Sequence, residues 1–306
     1  MSAQYFRFAA HAAAAHAAAA PRRSALLEQL LARADGFVPV RDWRSDAFRI
    51  IAPPTLSMPA VAAAALCAES GPMDAAWVCL AAPVHYVAEM SNVRLAPGGL
   101  LALTRAEAET LALDFNGVWR DSGTRLLAGR SAALYCIFDR ALQVTTCDPQ
   151  EVQNLHIEEY LPAGPDAAAV RRLMSEIEMW LFEHAVNGAR GARGVPPITG
   201  LWLWGGGAPL ASLPKTAGFC AGDDVFFNAF AGAASGGAGV IIVPQVPGSD
   251  AWHHAESQWL KPAVAQLRSG GISRLDLSAG ARCFGVTARA RLRFWRRRKP
   301  WWEFFN

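Results

Sequence analysis

The residues best suited to chemistry fall in two clusters. In residues 184–207, HAVNGARGARGVPPITGLWLWGGG, Asn187, Arg190 and Arg193 occupy a glycine-flanked stretch. Two guanidinium groups on pliable backbone can hold a phosphate or carboxylate through paired hydrogen bonds. The bare amides of Gly205, Gly206 and Gly207 can approach an anion closely. These six residues are the candidate anion-binding set, and the same residues equally suit a helix cap at Asn187 and a tight turn at the glycines. The second cluster is terminal, with Arg289, Arg291, Arg293, Arg296, Arg297, Arg298 and Lys299 set around Phe294 and Trp295, and Trp301 and Trp302 following. Arginine interleaved with tryptophan can neutralise phosphates and stack on bases, or rest on an anionic membrane surface. Arg296, Arg297, Arg298 and Lys299 are the candidate contact surface. The alternative for this segment is a closing edge strand with Arg289, Arg291 and Arg293 outward and Leu292 and Phe294 inward, its charge guarding the edge.

Other chemistry finds less support. A metal centre needs three or four converging ligands. The seven histidines stand at 11, 16, 85, 156, 184, 253 and 254. His11 and His16 lie in an alanine tract, and the adjacent His253 and His254 fall in an expected surface loop near Trp252 and Trp259. His184 stands at an expected helix end, where a positive charge is favourable. Asp223 and Asp224 precede VFFNAF as a helix cap, and Asp276 in ISRLDL is a single carboxylate. No metal or other cofactor is expected. A nucleophile elbow of the G-x-S-x-G type is missing, and the six cysteines are scattered singly, several in apolar runs where the thiolate is disfavoured. They read as free thiols of a reducing compartment.

The elements that must position these residues alternate between two kinds. Residues 76–80, 134–138, 201–204, 239–243 and 272–277 are short apolar runs of buried-strand type. Ser24 opens an amphipathic helix carrying Leu26, Leu27, Leu30 and Leu31, and Thr104 with Glu107 forms a capping-box pattern. The longest expected helix runs from Asp166 to about Asn187, with Val170, Leu173, Met174, Ile177 and Leu181 on one face and Arg172, Glu176 and Glu183 on the other. Asn187-Gly188 would end it. Alternating strands and helices imply an α/β fold with a mostly parallel sheet.

At 306 residues, 52% hydrophobic and 18% charged, the chain can bury a substantial core, which excludes a disordered or disulfide-stapled protein. The alanine-rich start, broken by His11 and His16, lacks the apolar heart of a signal peptide. The uncharged run 225–249 is broken by glycines, Pro244 and Gln245, so a glycine-rich turn and a strand explain it better than a membrane span. A cytoplasmic location is expected. Taking the seven cations of 289–299 from a net charge of +3 leaves −4, so all the basic excess lies in that segment.

The pattern H-x-V-N-x-x-R-x-x-x-G-x-x-P followed by W-x-W-G-x-G, at 184–197 and 202–207, resembles the archaeal-type cofactor-independent phosphoglycerate mutases of the alkaline-phosphatase superfamily. It resembles more closely a bacterial offshoot of that group, the RpfE-type regulatory proteins. Further matches to the offshoot are APVHY (82–86), LTRAEAETLALDFN (103–116), YLPAGPDAA (160–168), SEIEMWLFEHAVN (175–187) and LRFWRRRKPW (292–301). The resemblance implies an alkaline-phosphatase-like α/β/α sandwich, residues 1–75 and 165–306, with a smaller α+β subdomain inserted at 76–164. It places Asn187, Arg190 and Arg193 in a substrate-side motif, with His85, Glu176 and His184 as accessory positions, His85 standing where the mutases have an arginine-containing motif. The mutases' opening D-G-x-x-D and their closing D-H ligand motif are missing here, the chain opening instead on YFRFAAHAAAA. The resemblance therefore implies a catalytically degenerate relative with a regulatory or binding role, holding a small phosphorylated or carboxylated ligand or a protein partner. Two alternatives stand beside it. One is an active metal-dependent phosphotransferase or phosphatase using manganese or zinc; the other is a protein meeting nucleic acid or an anionic membrane through its C-terminal segment.

Overall fold

The computed structural model describes residues 2–8, 22–90, 92–231, 238–243, 247 and 249–305. His11, His16 and the glycine-rich turn expected before the strand at 239 lie outside the described residues. The elements in chain order are β1 (Ala3–Phe8), α1 (Ala25–Arg33), β2 (Gly36–Pro39), α2 (Trp43–Ile51), α3 (Val61–Ser70), β3 (Trp77–Ala88), β4 (Val93–Leu100) and α4 (Arg105–Val118). There follow β5 (Thr124–Ala128), β6 (Leu134–Phe138), α5 (Pro149–Val152), α6 (Ala167–Phe182), α7 (Ala185–Ala192) and β7 (Gly200–Gly207). The last are β8 (Phe219–Gly222), α8 (Val225–Asn228), β9 (Gly239–Val243), α9 (Asp250–Ala255), α10 (Lys261–Ser269), β10 (Arg274–Ala279) and β11 (Arg282–Thr287). All five expected strands form. The fold is mixed α/β, and no helix among the described residues is long and apolar enough to cross a membrane.

Contacts divide the chain into two compact units, one of residues 1–58 and 214–306, the other of 59–213. In the first, the strand order is β2-β11-β10-β1-β9-β8. The four strands β10, β1, β9 and β8 run parallel, while β11 and β2 add antiparallel edges. GVIIV of β9 is buried at every position, as a parallel strand covered on both faces must be. Alternation along the strands sends Phe6, Phe8, Ile241, Val243, Leu275 and Leu277 to one core, shared with α1, α10 and the buried Trp252 and Trp301. On α2 and α8, Phe48 meets Phe226 at 5.6 Å between ring centroids.

The second unit holds an antiparallel sheet, β4-β3-β6-β5, with β7 also on β3. The twelve-residue β3 has three partners along its length, Cys79 facing Cys136 of β6, Ala82 facing Trp202 of β7, and Tyr86 facing Leu95 of β4. α6 packs on β7, α3 on β3 and β7, and α4 on β5. The division therefore differs from the expected boundaries at 76 and 164. Residues 59–75 and 165–213 carry α3, α6 and β7: α3 packs on β3 and β7, α6 packs on β7, and β7 pairs with β3, so pairing and packing hold them in this unit.

Two further expectations are corrected. The long helix does not reach Asn187: α6 ends at Phe182, and α7 begins after His184, whose ring caps it by accepting from the Val186 amide at 3.2 Å. His184 therefore serves a helix start rather than a helix end. The left-handed terminator is Gly194 (φ 68°), past α7, while Asn187 and Gly188 lie inside that helix. The terminal segment, too, is no edge strand. β11 ends at Thr287, and Ala288–Leu292 coils into a 3-10 turn that buries Ala290 against the core.

Candidate functional site

α4 supplies the residue on which the first arginine cluster converges. Thr104 caps the helix, its hydroxyl accepting from the Glu107 amide at 3.2 Å while Glu107 accepts from the Thr104 amide at 2.7 Å. The capping box forms as its spacing requires, and it leaves the second carboxylate oxygen, Oε1, aimed at α7. Arg190, only 2% exposed, donates to that oxygen at 3.0 Å, to the Pro196 carbonyl at 2.8 Å and to the Ala102 carbonyl at 3.3 Å. Arg193 donates to the same Glu107 oxygen and, through Nε, to the Ala189 carbonyl. Burial pushes the Glu107 carboxyl up, but the Thr104 hydrogen bonds and the two guanidiniums outweigh it and hold it below its ordinary value. The two arginines that could chelate an external anion thus already hold an internal one.

Asn187 is equally committed. Its Nδ2 donates to the carbonyls of Leu181 and Ile198, each at 2.8 Å, and its Oδ1 accepts from the Ile198 amide at 2.8 Å. The side chain clips the end of α6 to the strand leading into β7, using every hydrogen-bonding atom it has.

The glycine triplet is not brought to this cluster. Asn187 binds Ile198, ahead of β7, whereas Gly205–Gly207 close that strand, about 25 Å further on for an extended chain. Their lack of side chains has packing reasons. A Cβ at Gly206 would collide with the Trp77 ring and one at Gly207 with the Ala60 methyl, and Gly205 (φ +66°) sits against Val61. The Gly205 amide is taken by Thr146 Oγ1 at 3.2 Å.

The accessory positions hold structural partners. The His85 ring meets the Pro197 carbonyl at 2.9 Å. Glu176 pairs with Arg172 at 2.8 Å, which lowers its pKa. His184 packs edge-on to Trp180, and because its Nδ1 accepts from Val186, the ring proton sits on Nε2, 3.3 Å from Asp114.

Among the described residues, no three His, Cys, Asp or Glu side chains come together as metal ligands. His253 and His254 are exposed on α9 rather than in a loop. Asp224 caps α8, as its sequence position suggests, and also forms a buried pair with Arg44 at 2.8 Å. Asp276 accepts from Arg274 at 2.6 Å, with burial raising its pKa. Burial pushes the thiols of Cys220 and Cys283 up to about 12, far from thiolate reactivity.

The C-terminal segment is built differently. It is pinned at both ends: Ala290 is buried, and the fully buried Trp301 donates through its indole to the Arg22 carbonyl at 3.0 Å. Between these anchors, Arg293 pairs with Asp35 at 2.5 Å and Arg296 donates to the Ala34 carbonyl at 2.8 Å, fixing the backbone on α1. Lys299 lies over the Phe304 ring. Arg297 and Arg298 are exposed and carry no partner among the described residues. Leu292, Phe294 and Trp295 beside them are 59%, 74% and 67% exposed. The sequence pattern contained every one of these residues; what it lacked was the burial of Ala290 and Trp301, which turns a strand-like alternation into an anchored loop.

No family model matches the chain, and no curated protein does. Solved structures resemble it, among them two from archaea. The cofactor-independent phosphoglycerate mutase from Thermoplasma acidophilum shares 13% identity over 94% of this chain and 89% of its own, with a TM-score of 0.38. The PH0037 protein from Pyrococcus horikoshii shares 8% identity over 94% of this chain and 87% of its own, with a TM-score of 0.41.

Proposed function

We propose that this chain acts by binding rather than by catalysis, as a cytoplasmic regulatory relative of the phosphoglycerate mutases of RpfE type, and that its partner is an anionic phospholipid surface. The family part of this reading is supported by the motif block at 175–207. The partner is supported by one observation: Arg297 and Arg298 stand unpaired among the described residues beside the exposed Leu292, Phe294 and Trp295, while Arg190 and Arg193 are both bound to Glu107. An apolar leucine and two aromatic rings can enter the headgroup boundary while the guanidiniums remain at the phosphates. Leucine adds nothing to base stacking, which favours lipid over nucleic acid.

Co-sedimentation with phosphatidylserine–phosphatidylcholine vesicles tests this. The protein is expected to bind in a salt-sensitive manner, and Arg297→Ala with Arg298→Ala to remove most of the binding. Equal binding to neutral vesicles, or binding untouched by the double substitution, would overturn the proposal. Binding to duplex or single-stranded DNA without binding to vesicles would replace the partner. Metal analysis of the purified protein addresses catalysis: stoichiometric manganese or zinc would favour a phosphotransferase.

A further inference from the structure

A cavity of about 90 Å³ opens in the first unit where α1, α10 and the turn after β11 meet. Its floor is apolar, including the buried Leu30, Val264 and Leu267. Arg33, Arg268 and Arg291 are also among its lining residues. None of these three side chains has a hydrogen-bond or ion-pair partner among the described residues. No Asp or Glu is among its lining residues; Glu28, next to Gln29, is held by Arg23, and Asp35 is held by Arg293. Arg33 and Arg268 close α1 and α10, where a cation complements the helix dipole, so each has a local reason to be there. Their gathering with Arg291 around one apolar cavity has no such local reason. Three like charges repel one another, and an anion among them relieves that repulsion.

We propose that this cavity binds an amphipathic organic anion, a short aliphatic chain bearing one carboxylate or phosphate. The chain lies on Leu30, Val264 and Leu267, and the head group takes charge-assisted hydrogen bonds from the three arginines. An apolar cavity of ~150 Å³ accommodates benzene, so this smaller one limits the buried chain to about three or four carbons. Arg297 and Arg298, the charges of the proposed lipid contact, do not line it.

Calorimetric titration of the full chain with butyl phosphate, pentanoate, butan-1-ol and inorganic phosphate tests the two halves of the site. Butyl phosphate or pentanoate is expected to bind, with butan-1-ol and inorganic phosphate each at least tenfold weaker. Arg268→Gln with Arg291→Gln alters two exposed residues and is expected to weaken that binding at least tenfold while leaving thermal unfolding in place. Val264→Phe fills the floor and should abolish binding with all three arginines intact. If Val264→Phe does not fold, the arginine pair and the alcohol control still decide. Inorganic phosphate binding as tightly as butyl phosphate would show a bare basic patch and overturn the proposal. Undiminished affinity in the double variant, or no heat from either amphipathic anion at millimolar concentration, would do the same.

Discussion

Arg190 and Arg193 on one side, Arg297 and Arg298 on the other, are chemically identical pairs with opposite fates. The first pair is engaged inside its unit, where one carboxylate on a capped helix accepts from both guanidiniums and the carbonyls of Ala102, Ala189 and Pro196 accept from them as well, with Arg190 buried and Arg193 half-exposed. The second pair is held in solvent by a loop whose two ends are buried. A guanidinium is available to a partner only if the fold has not already supplied it with an acceptor, and sequence spacing does not reveal that. The difference lies in what surrounds the arginines. α4 presents Glu107 to the end of α7, whereas Asp35, beside the terminal segment, binds Arg293, and Arg297 and Arg298 have no partner among the described residues.

The sharpest way to break this contrast is to remove the internal anion. Glu107→Ala leaves the buried Arg190 without its counter-charge and is expected to cost about 3 kcal/mol in urea unfolding. The same variant should gain affinity for inorganic phosphate, and adding Arg190→Ala should remove the gain. A variant as stable as the parent would place the arginines of α7 and its C-cap among freely solvated ones. Asn187→Ala orphans the Ile198 carbonyl and amide, while the Leu181 carbonyl keeps the His184 amide, with an expected loss of about 2 kcal/mol. A loss below a few tenths would mean that the loop is not clipped as described.

Acid should act on the first region through Glu107. Because the folded-state Glu107 carboxyl titrates below its ordinary 4.5, its stabilisation is complete above that value and fades as the pH falls below about 4.5 towards the folded-state value. Glu107→Gln should therefore flatten the acid limb of the stability profile, and an unchanged limb would count against the pairing. The smallest expected effect is in the second region, where Arg297→Ala with Arg298→Ala should change stability by no more than about 0.5 kcal/mol. A larger loss would make those residues structural.

Much of this was legible in sequence. GVIIV, LYCIF and the W-x-W run declare strands because apolar continuity admits few other readings, and Thr104 with Glu107 declares a capped helix start. The same Glu107 was visible as a cap, but not as the counter-ion of residues 83 and 86 positions away, because a capping box commits only one face of the carboxylate. The helix break after Phe182 carries no glycine or proline; it is set by the His184 cap, a residue type not marked as a helix start. In the terminal segment, alternating Arg with Leu and Phe imitates a strand, and only the burial of Ala290 and Trp301 decides otherwise.

The most direct test of the contrast is arginine accessibility itself. Labelling with a guanidinium-specific dicarbonyl reagent, read by peptide mass spectrometry with and without phosphatidylserine vesicles, reports each side chain separately. Arg297 and Arg298 are expected to react fast and to be protected by vesicles, with Arg190 slow in both conditions. Arg190 reacting as fast as Arg298, or vesicles protecting neither terminal arginine, would contradict the account.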